Sequence, residues 1–363
     1  MVNYEGAYRN LTLKSAIIEH NMLWRDLFKA IQARAMKVIR EKQEEEEEDL
    51  ATYNLNPVAI TPMEQLPDGL TNATLIKVPK TRQSYIIMGR MTDKDAFIYW
   101  QMILEHTPPA IIMFNDNNSE NLAHIPSKTN QRLCYGDLHV VLEDEVLTPS
   151  FIRCDLIIER GQDKHSVPYF QFRHWTQFEP RPDEFIGFHN FLIDNKHLKA
   201  RPTRKALCCP VIMSPPGLGR AGIFVVSDIY IKMLRKNVWT DYCVERLIVK
   251  LCSNRYDAIQ SVADFHMIYR HLYRFLEAKG MNIYLGNDMF DYAEGSSRLP
   301  NNAKTLNRLM TWDAWAPWSI QLHWFHWKRD AERKIQNEEL NQLKLDCMLE
   351  RPEIEVFDPH ETG

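Results

Sequence analysis

The sequence predicts an α/β domain in which a twisted mixed sheet is flanked by helices. Short β-branched runs alternate with helical stretches from about Leu70 onward. Strands dominate the first half of this region and helices the second, which favours a mixed sheet covered by helices over a uniform parallel repeat. The predicted strands are 74–76, 84–87, 110–113, 138–142, 154–158 and 169–172, and the predicted helices are 93–104, 185–193, 222–234, 242–251 and 261–277.

The flanking segments differ in composition from this central region. Residues 13–42 carry apolar side chains at helical spacing with basic residues between them, which predicts one amphipathic helix with an optional break near His20-Asn21. The acidic block at 44–49 is expected to stay solvated as a linker, with a docking tail for a basic partner as the alternative. The predicted divisions are a helix and linker (1–49), a central domain (50–280) and a C-terminal extension (281–363).

The C-terminal extension is rich in tryptophan and includes a predicted charged helix at 328–349. The tryptophans are Trp312, Trp315, Trp318, Trp324 and Trp327. Their spacing by three places them on one face of helical segments, where they either pack against the central domain or form a patch that docks a partner.

Composition excludes several classes of protein. With 45% apolar and 25% charged residues, the chain of 363 residues is globular, and its formal charge of −4 draws it neither to nucleic acid nor to an anionic membrane. No apolar run is long enough to span a membrane and the first residues do not resemble a secretory signal, so a cytoplasmic location is expected. The seven irregularly spaced cysteines indicate reduced thiols, and neither a metal nor a cofactor is expected.

One stretch carries most of the chemical information. An apolar run, 210–213, leads into the glycine-rich turn 214–222 and then into the apolar helix start 223–226. A buried strand, a glycine-rich turn and a helix amino terminus together present backbone N–H groups and a positive dipole end to a phosphate.

This stretch resembles the signature loop of the protein tyrosine phosphatases, in which a His-Cys pair, five further residues and an Arg surround the phosphate. Alignment on 217–222 places Ser214 at the position of the nucleophile and Met213 at that of the His. The resemblance implies a tyrosine-phosphatase-like fold. It also implies a phosphate-binding loop made of Ser214, Gly217, Leu218, Gly219, Arg220 and Ala221.

The resemblance extends over residues 70–279 in the element order of the family. Asn72-Ala73 and 97–103 match an early strand and a later helix, and His174-Trp175 matches the start of the acid-bearing loop. Residues 255–261 match the glutamine loop, in which Gln260 would position the hydrolytic water, although a solvated loop amide is favoured here. Residues 53–56 align only loosely with the phosphotyrosine-recognition loop.

The departures from the family pattern concern its chemistry. A serine hydroxyl at 214 stays protonated where a thiol would ionise, and Met213 cannot activate it. Cys208 and Cys209 come on or before the strand and cannot reach the turn. The position of the general acid is Gln177, an amide with no proton to donate.

Further departures concern the binding of phosphate and a substitute for the missing acid. Pro215 and Pro216 lack the N–H groups that would bind phosphate. Arg220 either anchors phosphotyrosine or closes the loop by binding a neighbouring carboxylate, and the prolines favour the second role. Glu179 or Asp183 could replace the acid, although neither follows a tryptophan as the family acid does.

The sequence therefore predicts a pseudophosphatase that binds or scaffolds a protein partner, such as a phosphotyrosine-containing peptide or a kinase, with neither nucleic acid nor a membrane span involved. It resembles the divergent phosphatase-like proteins of nematodes, some of which lack the nucleophile; the bracovirus phosphatase-like family is a second candidate. The alternatives are a weakly active phosphatase with atypical catalytic residues and a structural module with a sealed pocket. The Pro215-Pro216 pair favours the sealed pocket over capture of phosphate.

Overall fold

The computed structural model describes residues 7, 11, 24–46, 54–78, 83–89, 91–92, 94–114, 124–175, 180–215, 217–236 and 244–279. Outside this part lie the C-terminal extension with its tryptophans and charged helix, the acidic residues 47–49 and the optional helix break at His20-Asn21. Tyr53, Gln177, Glu179 and Pro216 are also outside it.

A nine-stranded mixed sheet forms the centre of the domain. Its strands are β1 (Pro57–Ala59), β2 (Leu70–Lys77), β3 (Ser84–Met88), β4 (Ile111–Phe114), β5 (Arg132–Tyr135), β6 (Leu138–Leu147), β7 (Phe151–Arg160), β8 (Asp163–Phe172) and β9 (Val211–Met213). They lie in the order β1-β2-β3-β9-β4-β8-β7-β6-β5. The four central strands are parallel and the outer pairs are antiparallel. The mixed sheet predicted from the sequence is therefore confirmed.

The central strands are apolar because helices cover both faces of the sheet. Every residue of β4 and β9 is buried, as expected for parallel strands packed on both sides. The described helices are α1 (Trp24–Glu46), α2 (Ala96–His106), α3 (Pro182–Asp194), α4 (Arg220–Lys236), α5 (Val244–Cys252) and α6 (Val262–Glu277). The core on one face is built with α1 and α3 to α6, and the core on the other face with α2.

The long amphipathic helix predicted near the amino terminus is present as α1. Its apolar stripe packs on the helical face of the domain, where the Trp24 ring meets Phe265 and Tyr269 edge-on at centroid distances of 5.2 and 5.3 Å. His266 lies closer, at 4.0 Å. Because α1 contributes Leu27, Phe28 and Ile31 to the same core cluster as α4 to α6, it is packed as part of the domain.

The predicted helices and strands are confirmed as elements, although their bounds differ: several strands are longer than predicted, whereas α2 begins three residues later and α6 one residue later. β6, β7 and β8 each span ten residues, because they form long antiparallel hairpins that extend past the buried core. β1 and β5 were not predicted, since each is short and lies at an edge of the sheet. No helix within the described ranges is long and apolar enough to cross a membrane.

A polar cluster lies inside the helical core and joins three helices to the sheet. Asp228 of α4 is fully buried and accepts a hydrogen bond from the Tyr85 hydroxyl at 2.6 Å. Lys232 Nζ lies 2.7 Å from the same carboxylate, and His189 Nε2 of α3 lies 3.0 Å from its other oxygen. His189 Nδ1 is 2.8 Å from His271 Nε2 of α6.

Charge pairing explains how Asp228 stays ionised in this core. Although burial alone would raise the pKa of Asp228, the Lys232 ammonium and the hydrogen bond from His189 hold it well below its usual range. Burial and the neighbouring His189 lower the pKa of His271 well below its usual value, so His271 is neutral. We call these five residues, Tyr85, His189, Asp228, Lys232 and His271, the buried network.

Candidate active site

The signature loop, residues 214–219, joins the central strand β9 to the amino end of α4. β9 lies between β3 and β4 and runs parallel to both, with Met213 in register with Met88 and Met113. Residue 175 follows β8, which is parallel to β4, so the start of the acid-bearing loop leaves from the same edge of the sheet. Loops at the carboxyl ends of parallel strands are where α/β folds place their sites.

Ser214, at the nucleophile position, is turned into the loop. The residue is fully buried, and its Oγ donates a hydrogen bond to the Leu218 carbonyl at 2.8 Å. Met213 beside it is also fully buried, and its sulfur accepts a hydrogen bond from the Tyr99 hydroxyl at 3.3 Å. Met213 is therefore part of the buried core, and the hydroxyl of Ser214 closes the turn.

The backbone amides of the loop are largely committed to protein carbonyls. Gly217 N–H donates to the Ser214 carbonyl at 2.7 Å, and Gly219 N–H donates to the Ala258 carbonyl at 2.9 Å. Pro215, half-buried in the turn, and Pro216 have no N–H. Of the five residues between Ser214 and Arg220, two prolines offer no donor and two glycines point their donors at protein oxygens.

Two loop glycines have left-handed backbone conformations, which favour glycine. Gly217 has φ of 69°, and a Cβ there would lie 2.5 Å from both Arg255 Nη2 and Gly89 N, so the close approach of the backbone also excludes a side chain. Gly219 has φ of 61°, and a Cβ there would lie 3.3 Å from Gln260 Oε1.

Arg255 holds the signature loop in place through hydrogen bonds. It is the main site residue whose role was not predicted from the sequence. It is fully buried, and its Nε donates to the Gly217 carbonyl at 2.8 Å. Its Nη1 donates to the Asn72 carbonyl at 3.1 Å and to Thr74 Oγ1 at 2.8 Å. The guanidinium therefore ties the signature loop to β2. Its position five residues before Gln260 in the glutamine-loop motif was the available signal.

Arg220 lies at the end of the loop, over an aromatic ring, and its charge acts on a nearby carboxylate. Its Cζ is 5.6 Å from the centroid of the Trp175 ring, a cation–π distance. Burial raises the pKa of Asp264, while hydrogen bonds from Gln260 and Ser261 and the nearby Arg220 charge act in the opposite direction. Asp264 also caps α6, since it accepts from Ser261 N–H at 3.1 Å. This arrangement fits the predicted role of Arg220 as a cation that interacts with a neighbouring carboxylate.

Gln260 lies exposed beside the signature loop. Its Oε1 is the atom nearest the position that a Gly219 Cβ would occupy. The solvated loop amide predicted for this residue agrees with its exposure, and the structure adds that the amide lies against the loop. Ser261-x-x-Asp264 forms a capping box, a pattern that could have been found from the sequence.

The acid-bearing loop is described only at its two ends. Trp175 and Pro180 pair across it in an antiparallel bridge, and Gln177 and Glu179 lie between them, outside the described residues. Asp183, the other substitute acid, is exposed in the first turn of α3. Burial raises the pKa of Glu277 at the end of α6, and the charge of Asp183 adds to this shift.

Cys208 and Cys209 precede β9, at the edge of the sheet opposite the signature loop. Cys209 is fully buried, and burial raises the pKa of its thiol to about 12. Cys208 Sγ lies 3.2 Å from Thr107 Oγ1. The prediction that neither thiol reaches the turn is confirmed, and the five described cysteines are all free thiols.

Residues 54–56, loosely aligned with a recognition loop, hold strand β2 through their amides. Asn54 Nδ2 donates to the Thr71 and Ala73 carbonyls, both at 3.1 Å, and Asn56 Nδ2 donates to the Leu75 carbonyl at 2.5 Å. These amides are engaged with the backbone of the domain, so this segment acts structurally at these positions.

The fold and the site together define a protein-tyrosine-phosphatase domain. The protein-tyrosine phosphatase family model matches residues 41–274, more than half of the chain, and the chain belongs to this family. The family resemblance predicted from the sequence is thereby confirmed.

The chain is also similar to individual phosphatase-related proteins. Tyrosine-protein phosphatase non-receptor type eak-6 of Caenorhabditis elegans is 25% identical over 263 residues, which cover 62% of this chain and 64% of the relative. Protein sdf-9 of Caenorhabditis elegans is 30% identical over 239 residues, which cover 60% of this chain and 69% of that protein. Human receptor-type tyrosine-protein phosphatase alpha is 25% identical over 270 residues, covering 70% of this chain and 33% of the relative. Two of these relatives are nematode proteins, as the sequence resemblance predicted.

Proposed function

We propose that this chain is a pseudophosphatase, a tyrosine-phosphatase-like module that binds a protein partner in phosphotyrosine signalling and does not hydrolyse phosphate esters. The observation that carries the proposal is the state of Ser214, whose hydroxyl is buried and donates to the Leu218 carbonyl. A nucleophile must face the phosphate and lose its proton to a base. Here the hydroxyl faces the protein backbone, and a methionine stands beside it.

The leaving-group step supports the same proposal. Departure of a tyrosine oxygen needs a proton from a positioned acid. Gln177 has no such proton, and Asp183 is an exposed residue in the first turn of α3. Glu179 remains in the sequence, but it sits four residues after Trp175, whereas the family acid follows the loop tryptophan by two.

Recognition of the partner is proposed to depend little on phosphate. Each lost N–H donor removes a charge-assisted hydrogen bond of about 1.5–3 kcal/mol, and four of the five loop residues before Arg220 offer none. Around the loop, Gln260 is exposed, and Tyr256 in the same segment is 38% exposed. A protein partner, such as a peptide or a kinase in the cytoplasm, would contact the exposed surface around Tyr256 and Gln260.

The first test is hydrolysis of a phosphotyrosine peptide by the purified full-length chain, with Arg220→Ala as the matched control. Phosphate release is expected to be equal in the two proteins, because neither nucleophile nor acid is in place. Turnover that disappears with Arg220→Ala would overturn the proposal in favour of a weakly active phosphatase.

The second test distinguishes binding through the surface around Tyr256 and Gln260 from capture of phosphotyrosine by Arg220. Calorimetric titration with phosphorylated and unphosphorylated forms of each partner peptide is expected to give affinities within about threefold of each other. Capture of phosphotyrosine is the second candidate, since Arg220 is half-buried at the loop end. It requires at least a tenfold preference for the phosphorylated form, lost in Arg220→Ala. Absence of binding by either form would favour the structural module.

A further inference from the structure

A cavity lies at the edge of the sheet opposite the signature loop. It has a volume of about 390 Å³ and is bounded by the end of β2, the start of β3, the turn after α3 and the carboxyl half of α4. Lys232 in its floor is twelve residues from Arg220 in the same helix, which corresponds to about 18 Å. The cavity is therefore separate from the site described above.

The wall of this cavity is apolar and its size suits a small molecule. Val78, Ile193, Leu198, Ala200, Ile229 and Met233 supply the wall. Small-molecule sites typically have volumes of about 300–1,000 Å³, mostly apolar walls and a few polar groups that orient the ligand. An apolar ligand body would fit against this wall.

Every charged residue that lines the cavity is positive, although the chain as a whole has a formal charge of −4. The five cations are Lys196, Lys199, Lys232, Arg235 and Lys236. Burial, followed by the positive charges of Arg235 and Lys236, lowers the pKa of Lys232 against the attraction of Asp228. The concentration of like charge produces a positive potential that attracts anions.

Two of these cations already have partners in the protein. Lys232 Nζ lies 2.7 Å from Asp228 and donates to the Tyr85 hydroxyl at 2.9 Å and to the Leu198 carbonyl at 2.8 Å, so its three hydrogens are used. Arg235 lies over the Phe275 ring at 5.9 Å. The floor of the cavity therefore does not supply the charge that would meet a ligand.

The three other cations form the rim. Lys196, Lys199 and Lys236 are exposed, and within the described part of the chain none of them forms a salt bridge. Lys196 has φ of 63°, the left-handed region, at the turn that follows α3. We call these three residues the rim lysines.

We propose that this cavity binds a small amphiphilic anion, whose apolar body lies against the wall and whose negative group is held by the rim lysines. The shared chemistry is one anionic head, carboxylate, sulfonate or phosphate, on an apolar body. This site is independent of the proposed pseudophosphatase function, since it uses no residue of the signature loop.

Two fluorescent probes with the same apolar body test this proposal on the full-length chain. 1-Anilino-8-naphthalenesulfonate carries a negative charge, and N-phenyl-1-naphthylamine is its uncharged counterpart. The rim variant combines Lys196→Asn, Lys199→Gln and Lys236→Gln, with asparagine at 196 because it tolerates a positive φ. The control combines Lys94→Gln, Lys128→Gln and Lys164→Gln, three exposed lysines that do not line the cavity.

The anionic probe is expected to bind the rim variant about tenfold more weakly than the unmodified chain, because three exposed positive charges near its head group are removed. The uncharged probe should bind both proteins within about twofold, and the control variant should match the unmodified chain with both probes. The proposal is overturned if the anionic probe does not bind the unmodified chain, if the control weakens it equally, or if the rim variant loses both probes to the same extent.

Carboxylate and phosphate head groups, the two most common in a cell, can be compared in the same assay. Decanoate and decyl phosphate should each displace the anionic probe at lower concentration than decanol, and their order identifies the preferred head group. Equal displacement by decanol would show that charge plays no part, which contradicts the assignment.

Discussion

The amino end and the middle of α4 use polar groups in opposite ways. At the amino end, the Ser214 hydroxyl and the amides of Gly217 and Gly219 donate hydrogen bonds to carbonyl oxygens of the loop and of Ala258. In the middle of the helix, Asp228 is fully buried and interacts with Lys232, His189 and Tyr85. The signature loop is thus held by hydrogen bonds to backbone carbonyls, including one from the Arg255 side chain, whereas the helical core contains a paired carboxylate.

The strongest test of this comparison is to remove the charge of Asp228. Asp228→Asn keeps the volume but leaves Lys232 and His189 without their anion, and breaking a buried pair in this way costs about 3–5 kcal/mol. Asp194→Asn, an exposed residue at the end of α3, is the control and should change stability by less than about 0.5 kcal/mol. The measurement is the free energy of unfolding in urea. A loss below about 1 kcal/mol for Asp228→Asn would show that the core does not depend on this pairing.

The next test addresses the shape of the amino end. A Cβ added at Gly222 would lie 2.1 Å from the Ala258 carbonyl oxygen, so Gly222→Ala forces α4 away from the segment that carries Arg255. Overpacking of this kind costs about 1–3 kcal/mol. Gly187→Ala in α3 is a matched control, because nothing lies within 4 Å of its added Cβ.

The control should stabilise the domain by about 0.5–1 kcal/mol, since alanine is the better helix former. Both free energies come from the same urea unfolding experiment. If Gly222→Ala were as stable as Gly187→Ala, the close packing of α4 on the loop after α5 would be wrong.

A half-buried histidine outside the network, His266, gives a smaller, pH-dependent effect. Burial, with the charge of Arg270 in addition, lowers the pKa of His266 to about 4. The unfolded chain therefore takes up a proton between about pH 6.5 and 4 that the folded chain does not, and stability falls as the pH falls through that window. Between pH 7 and pH 5 the loss is expected to be about 1–2 kcal/mol.

His266→Phe isolates this contribution. Phenylalanine keeps a ring against Trp24 but cannot titrate, so the variant should lose about 1–2 kcal/mol less than the unmodified chain when urea unfolding is repeated at the two pH values. Parallel losses in both proteins would assign the acid sensitivity to other groups.

The elements that could be predicted from the sequence are those whose hydrophobic pattern is long and regular. β4 and α4 are apolar over most of their length, and the glycine-rich turn between β9 and α4 is a strong local signal. Short edge strands such as β1 carry little pattern, because only one side is paired. The roles of Arg255 and of the buried network could not be predicted from the sequence, since each joins residues from distant parts of the chain. Ser214 shows the same limit, because its sequence position gave the missing nucleophile but not the hydrogen bond that closes the turn.

The smallest effect is expected from Ser214→Cys, the substitution that restores the nucleophile of the family. Ser214→Cys restores the family nucleophile, and the α4 amino terminus with Arg220 should favour its thiolate. We nevertheless expect no turnover, because Gln177 supplies no proton and the loop offers few amides to stabilise the phosphate. The combined variant Met213→His, Ser214→Cys, Pro215→Ser, Pro216→Ala and Gln177→Asp should hydrolyse phosphotyrosine peptides faster.

Two substrates separate the missing acid from the missing amides. p-Nitrophenyl phosphate has a much better leaving group than phosphotyrosine and depends less on an acid. If Gln177 alone blocked Ser214→Cys, that variant would hydrolyse p-nitrophenyl phosphate but not the peptide, whereas a loop poor in donors predicts neither. Alkylation by iodoacetate checks that the new thiol is accessible. Turnover of both substrates by Ser214→Cys, near that of the combined variant, would show that a loop whose amides are bonded to protein carbonyls can still bind phosphate. The contrast between the amino end and the middle of α4 would then be wrong at the amino end.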